Sequence, residues 1–301
     1  MFFVKKNPVL LLGILMMLTL FFIAFFGRYL PMVDEDLHTI DYIWTEDKIP
    51  LAPPYAPSAN HPFGTDREGR DLLSLIVIGA KHTLLVVLLI TAIRYIVAVP
   101  LGYLAHRRIK GVALLVQWLD GFLSYVPSII IVMLLSSLPP ILTTDLRPVY
   151  LVLVIAFVET GRAAQMFKFE LDELSTKDFI TGGNAIGASP FRLLKSYYLP
   201  YLYDKLIVNM VTDTARVMFM LGQLAFLEIF ISQALTYVEP NWELLSDTAA
   251  WPNLLVNTFN DIRSATWIPF YPALAMTYAI IGFNALAQGL QNLFKSRINY
   301  Y

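Results

Sequence analysis

Residues 8–26 read PVLLLGILMMLTLFFIAFF, an apolar run that contains no charged side chain. At a rise of 1.5 Å per residue, about 20 such residues form a helix that crosses the ~30 Å hydrocarbon layer of a membrane. The run is longer than the ~7–15 apolar residues of a secretory signal peptide, and no cleavage site of small residues follows it. We therefore expect a retained first transmembrane helix.

The composition of the whole chain agrees with a membrane protein. Of 301 residues, 57% are hydrophobic and 15% are charged, whereas an ordinary soluble domain carries about 25% charged residues. The formal net charge of −1 gives no electrostatic case for binding nucleic acid. The absence of cysteine excludes disulfides, thiolate metal sites and cysteine nucleophiles.

Apolar segments predict an all-α membrane protein with six transmembrane helices. Pro100 and Pro127 lie inside the second and third helices, and proline usually kinks a membrane helix. The predicted helices lie near residues 9–30, 82–105, 112–137, 148–167, 205–231 and 268–292.

Lysine and arginine predict the orientation of these helices, because short cytoplasmic flanks are enriched in both. Basic residues occupy one side of the predicted topology and acidic residues the other, so both termini are expected in the cytoplasm. The basic residues are Lys5, Lys6, Arg107, Arg108, Lys110, Lys168, Lys177, Arg192, Lys195, Lys295 and Arg297. The acidic residues of the opposite, external side are Asp34, Glu35, Asp36, Asp41, Glu46, Asp47, Glu239, Glu243 and Asp247.

The connection at 168–204 is too long for a simple turn, and its pattern predicts two short helices. The first is expected from about Thr176 to Ile186, ending at Gly187, because glycine readily takes the left-handed conformation of a C-terminal cap. The second begins with Ser189 as N-cap and Pro190 at its first position, and it is expected to end before Pro200. Such a cytoplasmic knob suits docking into a groove on another protein, although a surface hairpin without a function is the alternative.

Two motifs resemble a known family. Residues 61–74 read HPFGTDREGRDLLS and are similar to the F-G-T-D-x-x-G-R-D-x-x-S segment in C-type permease subunits of dipeptide, oligopeptide and nickel ABC importers. Gly187, nine further residues and YYLP at 197–200 resemble the "EAA loop" of binding-protein-dependent ABC permeases. Further matches in family order are LAFL at 224–227, PNW at 240–242, FYPALA at 270–275 and GFNALAQGLQ at 282–291.

The resemblance implies a type I ABC importer permease fold, with a coupling helix that seats in an ATPase subunit. The implied domains are 1–31 (cytoplasmic tail and first helix), 32–81 (external Pro-rich segment), 82–292 (ABC transmembrane type-1 domain, with coupling loop 168–204 and external loop 232–267) and 293–301 (cytoplasmic tail). The implied coupling residues are Ala185, Gly187, Ser189, Arg192, Lys195, Leu199 and Pro200. The implied external motif residues are Gly64, Thr65, Asp66, Gly69, Arg70 and Asp71.

The resemblance also implies partners and a location. These are a B-type permease subunit in a heterodimer, two ATPase subunits, an external solute-binding protein and the lipid of a bacterial cytoplasmic membrane. The chain contains no G-x-x-x-x-G-K-[ST] motif, so ATP and Mg²⁺ are expected on the ATPase subunits and no cofactor on this chain. It departs from the family where Thr181, Gly182 and Gly183 replace Glu-Ala-Ala, at Gln288 and at Glu228. Each of the two glycines is expected to weaken its helix by ~1 kcal/mol relative to alanine.

Several ionisable side chains fall within or near predicted membrane helices, where each charge costs ~2.5–3.5 kcal/mol on insertion scales. Two interpretations stay open: these charges join helices to one another, or they line a polar solute path. Asp213 and Arg216 are three residues apart and are placed to pair on one helix face. The charged residues are Arg94, Asp120, Glu159, Arg162, Asp213 and Arg216; the candidate path residues are Asp120, Asn209, Thr212, Asp213 and Arg216.

Import of peptides is the primary functional hypothesis, and import of nickel or other metal chelates, or of another small solute, is its nearest alternative. An ion-coupled secondary transporter and a non-transporting membrane scaffold are alternatives from other classes. No metal site is expected on the chain itself, because its histidines (His38, His61, His82 and His106) are dispersed without ligand spacing.

Overall fold

The computed structural model describes residues 7–44, 50–238, 241–245 and 248–298. Over these residues the chain is mostly α-helical. The helices are α1 (Pro8–Phe26), α2 (Leu72–His106), α3 (Val112–Tyr125), α4 (Ser128–Ser136), α5 (Pro139–Leu142), α6 (Arg147–Val158), α7 (Thr160–Ser175), α8 (Asp178–Ala185), α9 (Pro190–Arg192), α10 (Leu199–Phe226), α11 (Thr258–Ser264) and α12 (Trp267–Ile298). Lys5, Lys6, Glu46, Asp47, Glu239, Pro240 and Asp247, on which the sequence analysis relied, lie outside the described residues.

Four helices of the described chain are long and apolar enough to cross a membrane: Pro8–Tyr29, Leu72–His106, Arg147–Ser175 and Trp267–Lys295. The chain is therefore a multi-pass helical membrane protein. The third of these combines α6 and α7, which are separated only by Glu159.

Four predicted helices differ in their boundaries from the sequence prediction. The helix near 148–167 is interrupted at Glu159 and continues to Ser175. The second long helix begins at Leu72 rather than near residue 82, because Asp71 caps its first turn by accepting a hydrogen bond from the backbone N–H of Ser74. The predicted helix 112–137 is broken into α3 and α4 at Val126 and Pro127, which have extended backbone conformations. The predicted helix near 205–231 is α10, which begins and ends earlier.

The helix after Ser189 does not end before Pro200, so that prediction was wrong. Helix α9 continues through a π-helical turn, Leu193–Tyr198, directly into α10. In this turn the N–H of Leu199 donates to the carbonyl of Leu194, five residues back, so the turn is wider than an α-helical one. The wider turn leaves room for the ring of Pro200. Pro200 lies in the first turn of α10, where the absence of a backbone N–H is tolerated.

The long helices pack around a main apolar core. Helix α1 lies directly against α12, and a Cβ at Gly13 would come within 2.4 Å of the backbone of Leu286. Small residues of this kind let membrane helices approach closely. Helices α2, α6, α10 and α12 complete the core, which includes Leu75, Ile90, Ile155, Met218 and Phe283. Exposed apolar side chains on α1, among them Leu18 and Phe22, suit contact with lipid.

Two antiparallel hairpins were missed by the all-α prediction. The strands β1 (Ile43–Trp44) and β2 (Pro50–Leu51) pair in the 32–81 segment. In the 232–267 segment, β3 (Ala234–Val238) pairs with β4 (Asn241–Leu245), with Ala234 opposite Leu245. In the sequence, β1 and β2 lie between α1 and α2, and β3 and β4 lie between α10 and α12. The 232–267 segment also contains α11.

Candidate functional site

The FGTDREGRD motif forms a tight loop organised by the carboxylate of Asp66. One oxygen of Asp66 accepts hydrogen bonds from the backbone N–H groups of Glu68 and Arg70, at 3.0 and 2.8 Å. The other accepts from Nε of Arg70 at 2.7 Å. Gly69 has φ +77°, and a Cβ there would come within 2.3 Å of the carbonyl oxygen of Ile40, so the loop requires glycine at this position.

The same motif joins three distant parts of the chain. The backbone carbonyl of Thr65 accepts a hydrogen bond from Nε1 of Trp267, at the start of α12, at 3.1 Å. Asp71 caps α2 and lies 3.0 Å from Nδ1 of His61. A side chain on Gly64 would collide with Trp267 and with the backbone of Tyr55. The six predicted motif residues therefore lie together, and their visible role is to hold the segment before α2 against two long helices.

A buried ion pair connects this loop with the 232–267 segment. The guanidinium of Arg67 pairs with both carboxylate oxygens of Asp261 in α11 and donates to the carbonyl of Val256 at 2.7 Å. Burial raises the pKa of Asp66 to about 6, although the charge of Arg70 acts in the opposite direction. Burial also raises the pKa of Asp261 above its usual range, against the opposing charge of Arg67.

Residues 176–198 form a two-helix knob, which we call the knob from here on. Helix α8 ends at Ala185, two residues before Gly187, and Gly187 has φ +74°, as a left-handed residue after a helix C-terminus requires. The hydroxyl of Ser189 accepts from the N–H of Arg192 at 3.3 Å, and Pro190 occupies the first helical position. These features are those that the sequence predicted, except that α8 begins at Asp178.

The knob is attached to the bundle through an apolar cluster and two polar contacts, one from Tyr103 and one from His106. Ile180 of α8 and Leu193 of the π-helical turn are buried against Phe167 and Leu171 of α7. The hydroxyl of Tyr103, in α2, donates to the carbonyl of Pro190 at 2.6 Å.

His106, at the end of α2, supplies further polar contacts beside the knob. Its Nδ1 lies 2.6 Å from a carboxylate oxygen of Asp172, and its Nε2 lies 3.3 Å from the hydroxyl of Tyr198. Lys168 pairs with the other oxygen of Asp172 at 3.1 Å. The knob thus contacts both α2 and α7.

The tip of the knob exposes a small apolar surface. Ile186 is 77% exposed and Phe191 is 71% exposed, on either side of the turn at Gly187. The predicted coupling residues Ala185, Gly187, Ser189, Arg192, Lys195 and Pro200 are also exposed, whereas Leu199 is half-buried and packs against the apolar cluster. Ile186 and Phe191 were not among the predicted coupling residues.

The two adjacent glycines of α8 have different surroundings. A Cβ on Gly183 would come within 2.9 Å of the ring of Tyr197, so the small residue permits α8 to pack against the π-helical turn. A Cβ on Gly182 would meet nothing within 4 Å. Glycine is expected to lower the stability of α8 relative to alanine at both positions. Close packing offsets this loss at Gly183 but not at Gly182.

A network of five charged side chains, which we call the charge network, lies among α2, the α6–α7 junction and α10. Arg94 is buried at its centre, with Nη1 3.6 Å from Glu159 and 3.9 Å from Asp213. Glu159 also accepts from the hydroxyl of Ser128 at 2.6 Å and lies 3.6 Å from Arg162. The charge network joins the two helix interruptions, at Pro127 and at Glu159.

Asp213 is the second acid of the charge network. It accepts from the hydroxyl of Tyr95 at 3.0 Å and from Nη1 of Arg216 at 3.1 Å, so the predicted pairing of Asp213 with Arg216 is present. The buried members join helices, as the first interpretation of these charges requires. Arg162 and Arg216 are 46% and 55% exposed and lie at the surface of the isolated chain.

The other candidate path residues are less closely grouped. Asn209 and Thr212 lie on α10, half-buried, and Thr212 donates to the carbonyl of Val208 within its own helix at 2.9 Å. Asp120 lies on α3, which packs against α7. Asn209 lines a narrow groove between α7 and α10, with Tyr95 and Met166. No group of three or more metal-binding side chains occurs among the described residues.

Comparisons with known proteins extend along nearly the whole chain. It is 24% identical over 299 residues to the dipeptide transport system permease protein DppC of Bacillus subtilis (strain 168), covering 98% of this chain and 83% of that protein. It is 25% identical over 290 residues to the di/tripeptide transport system permease protein DppC of Pseudomonas aeruginosa (strain UCBPP-PA14), covering 95% and 87%. It is 21% identical over 297 residues to the oligopeptide transport system permease protein OppC of Bacillus subtilis (strain 168), covering 98% and 87%.

The chain is a distant homologue of the DppC and OppC permeases. No family model matches it. These homologues are non-catalytic transport components, so the chain is a permease homologue and not an enzyme.

The features of this permease homologue that sequence reasoning missed are long-range contacts. Tyr103 and His106 hold the knob, Asp172 positions His106, and Arg67 joins the two segments at the opposite end of the bundle. The arginine lies within the FGTDREGRD motif, at a position the motif leaves variable. For the knob contacts the sequence held only one local signal: His106 is a titratable residue at the end of an apolar helix.

Proposed function

We propose that the chain is one permease subunit of an ATP-driven peptide importer in a bacterial cytoplasmic membrane. The observation that carries this proposal is the knob, a rigidly attached projection with an exposed apolar tip, on a chain similar along its length to peptide permeases. A projection of this kind transmits force between a separate motor subunit and the membrane helices. The chain itself holds no nucleotide-binding motif, so hydrolysis of ATP with Mg²⁺ belongs to partner subunits.

The proposed topology has six membrane spans with both termini in the cytoplasm. The four long apolar helices supply four of them. Helix α10 is 28 residues long, which is about 42 Å and enough to cross the hydrocarbon layer. Its charges lower its hydropathy, but Asp213 is buried inside the bundle. The pair α3–α4 supplies the remaining span, interrupted at Pro127.

This topology places the knob in the cytoplasm and the FGTDREGRD loop outside the cell. A single bundle of this size encloses at most half of a path, so we propose a heterodimer with a B-type permease, two ATPase subunits and an external solute-binding protein. We propose that the candidate path residues Asp120, Asn209, Thr212, Asp213 and Arg216 lie along the path that the second permease subunit completes.

Purification of the complex from its native membrane provides the test. The expected complex contains an ATPase whose activity is stimulated by peptide and the binding protein, and vesicles containing it accumulate peptide only with ATP. The double variant Gly187→Leu with Pro200→Ala, which alters the turn and the entry to α10, is expected to retain hydrolysis but lose uptake. Gly182→Ala is the matched control, since its added Cβ meets no neighbour.

The same experiment separates the alternatives. Uptake of a metal chelate in preference to peptides would show that the solute is not a peptide, while the protein would still be an ATP-driven importer permease. Uptake that follows an ion gradient and needs no ATPase would indicate a secondary transporter. A stable complex that accumulates no solute under either driving force would indicate a scaffold and would contradict the proposal.

A further inference from the structure

Arg162 and Arg216 are charged side chains that the packing of this chain leaves open. Arg162 is 46% exposed and Arg216 is 55% exposed. Arg162 lies about 20 Å from either end of the α6–α7 helix, and Arg216 about 15 Å from the nearer end of α10, at 1.5 Å per residue. An arginine that deep in a membrane protein normally faces a bundle interior or a water-filled cavity, since contact with lipid is costly.

Each of these arginines pairs with an acid that the buried Arg94 also approaches. Arg216 pairs with Asp213 at 3.1 Å and Arg162 with Glu159 at 3.6 Å. Both acids also lie near the buried Arg94, at 3.9 and 3.6 Å. Among these five residues, three guanidinium groups therefore share two carboxylates.

The two arginines lie on the helices that form one groove. Ala163 and Met166 of α7, Asn209 of α10 and Tyr95 of α2 are among the residues that line it. Arg216 is seven residues from Asn209 and so lies on the groove-lining face of α10, and Arg162, four residues from Met166, lies at the edge of that face on α7. The groove is thus continued by a cationic pair at the depth of the membrane.

We propose that Arg162 and Arg216 contact the solute in a water-filled path, and that this path selects solutes carrying a free carboxylate. The inference rests on the proposed function and names the chemistry that the path recognises. A guanidinium matches a carboxylate through two parallel hydrogen bonds. A solute carboxylate must compete with Asp213 and Glu159 for these arginines, so the contact is weak enough for the solute to leave, as conduction requires.

The absence of cysteine makes a direct test practical, because a single introduced thiol is then the only one in this chain. Asn209→Cys is labelled in the assembled transporter, in vesicles, with an anionic and a cationic methanethiosulfonate reagent. After correction for their reaction with a free thiol, the anionic reagent is expected to react about fivefold faster, from the attraction between unit charges in a wet site. Arg216→Gln and Arg162→Gln should each lower this ratio toward one, and Arg216→Lys should preserve it.

The double variant Lys205→Gln, Glu170→Gln is the matched control. Both residues line the groove, and they pair with each other. Removing both changes the net charge of the groove by zero, so the ratio is expected to stay within about twofold of the parent.

A second measurement examines the carboxylate itself. A mixture of tripeptides with free C-termini is expected to slow labelling of Asn209→Cys at least threefold more than the same mixture with amidated C-termini. The difference should disappear in the Arg162→Gln, Arg216→Gln double variant. Three results would each overturn the inference. The first is loss of labelling in every nucleotide state, which would mean that a partner subunit covers the arginines. The others are equal labelling rates for the two reagents and equal protection by the two peptide mixtures.

The proposed function fails separately. ATP-driven uptake without charge-selective labelling would overturn only the carboxylate site. Charge-selective labelling in a complex that contains no ATPase would leave the anion-selective path standing and overturn the importer.

Discussion

The hydroxyl of Tyr103 donates a hydrogen bond to the backbone carbonyl of Pro190 at 2.6 Å. The two residues are 87 positions apart, and the bond joins the last turns of α2 to the first residue of α9. Together with the contact of His106 with Tyr198, it fixes the second half of the knob to a helix that extends along the whole bundle. In the proposed importer, this connection is the route by which movement of the knob reaches α2.

Removal of this bond should weaken coupling without unfolding the chain. In Tyr103→Phe, the net loss of a hydrogen bond of about 1 kcal/mol corresponds to roughly a fivefold change in an equilibrium. We expect peptide uptake per ATP hydrolysed to fall by about that factor while hydrolysis continues. Tyr203→Phe, at an exposed position of α10, is the control. Unchanged uptake per ATP in Tyr103→Phe would contradict a mechanical role for this bond.

Gly182 and Gly183 form a matched pair for testing the packing of α8. Gly182→Ala should stabilise α8 by up to ~1 kcal/mol, because alanine is the better helix former and its Cβ meets no atom within 4 Å. Gly183→Ala should loosen the knob, because its Cβ would come within 2.9 Å of the ring of Tyr197. Hydrogen exchange of residues 178–185 measures both effects. Equal protection in the two variants would show that Gly183 is not required for packing.

The buried charges predict a strong effect at Arg94. Its replacement in Arg94→Met leaves Glu159 and Asp213 without their shared cation, at a cost of about 3–5 kcal/mol. Adding Glu159→Gln to this variant should recover part of the loss, because the two positions are coupled. Thermal unfolding in detergent, with the exposed Arg263→Gln as control, gives the comparison. A melting temperature for Arg94→Met equal to that of the parent would exclude this role.

Asp66 predicts a pH dependence of stability at the FGTDREGRD loop. Burial raises its pKa from 3.8 to about 6, so the folded chain binds a proton between these values that the unfolded chain has released. This contribution to stability is present at low pH and is lost as the pH rises through 6, by at most about 3 kcal/mol. Asp66→Asn should remove that part of the slope, which lies between about pH 4 and 6.5. A slope identical in parent and variant would assign the pH dependence to other groups.

The sequence predicted the parts of this protein that depend on local patterns. Apolar runs indicated the four long helices, and the Gly187, Ser189 and Pro190 pattern indicated the caps of the knob, because capping is decided within a few residues. The pairing of Asp213 with Arg216 followed from helical spacing alone.

The features that were missed depend on contacts between distant residues or on neighbouring turns. The helix continues through Pro200 because a π-helical turn precedes it, and residue type alone gave no sign of that turn. Glycine at 183 looked unfavourable until Tyr197 was placed beside it. The contacts of Tyr103, His106 and Arg67 join residues 66 to 194 positions apart, where no periodic pattern operates.

Cross-linking from the tip of the knob tests the proposed coupling most directly. A photoreactive phenylalanine analogue replaces Phe191 in the native complex, and the same analogue at Phe22, an exposed apolar position of α1, is the control. We predict that the analogue at 191 forms a cross-link to a nucleotide-hydrolysing subunit, with a yield that changes when ATP is bound, and that the analogue at 22 does not. Cross-links from 191 only to lipid or to an external protein would contradict the assignment of this chain as an ATP-coupled permease.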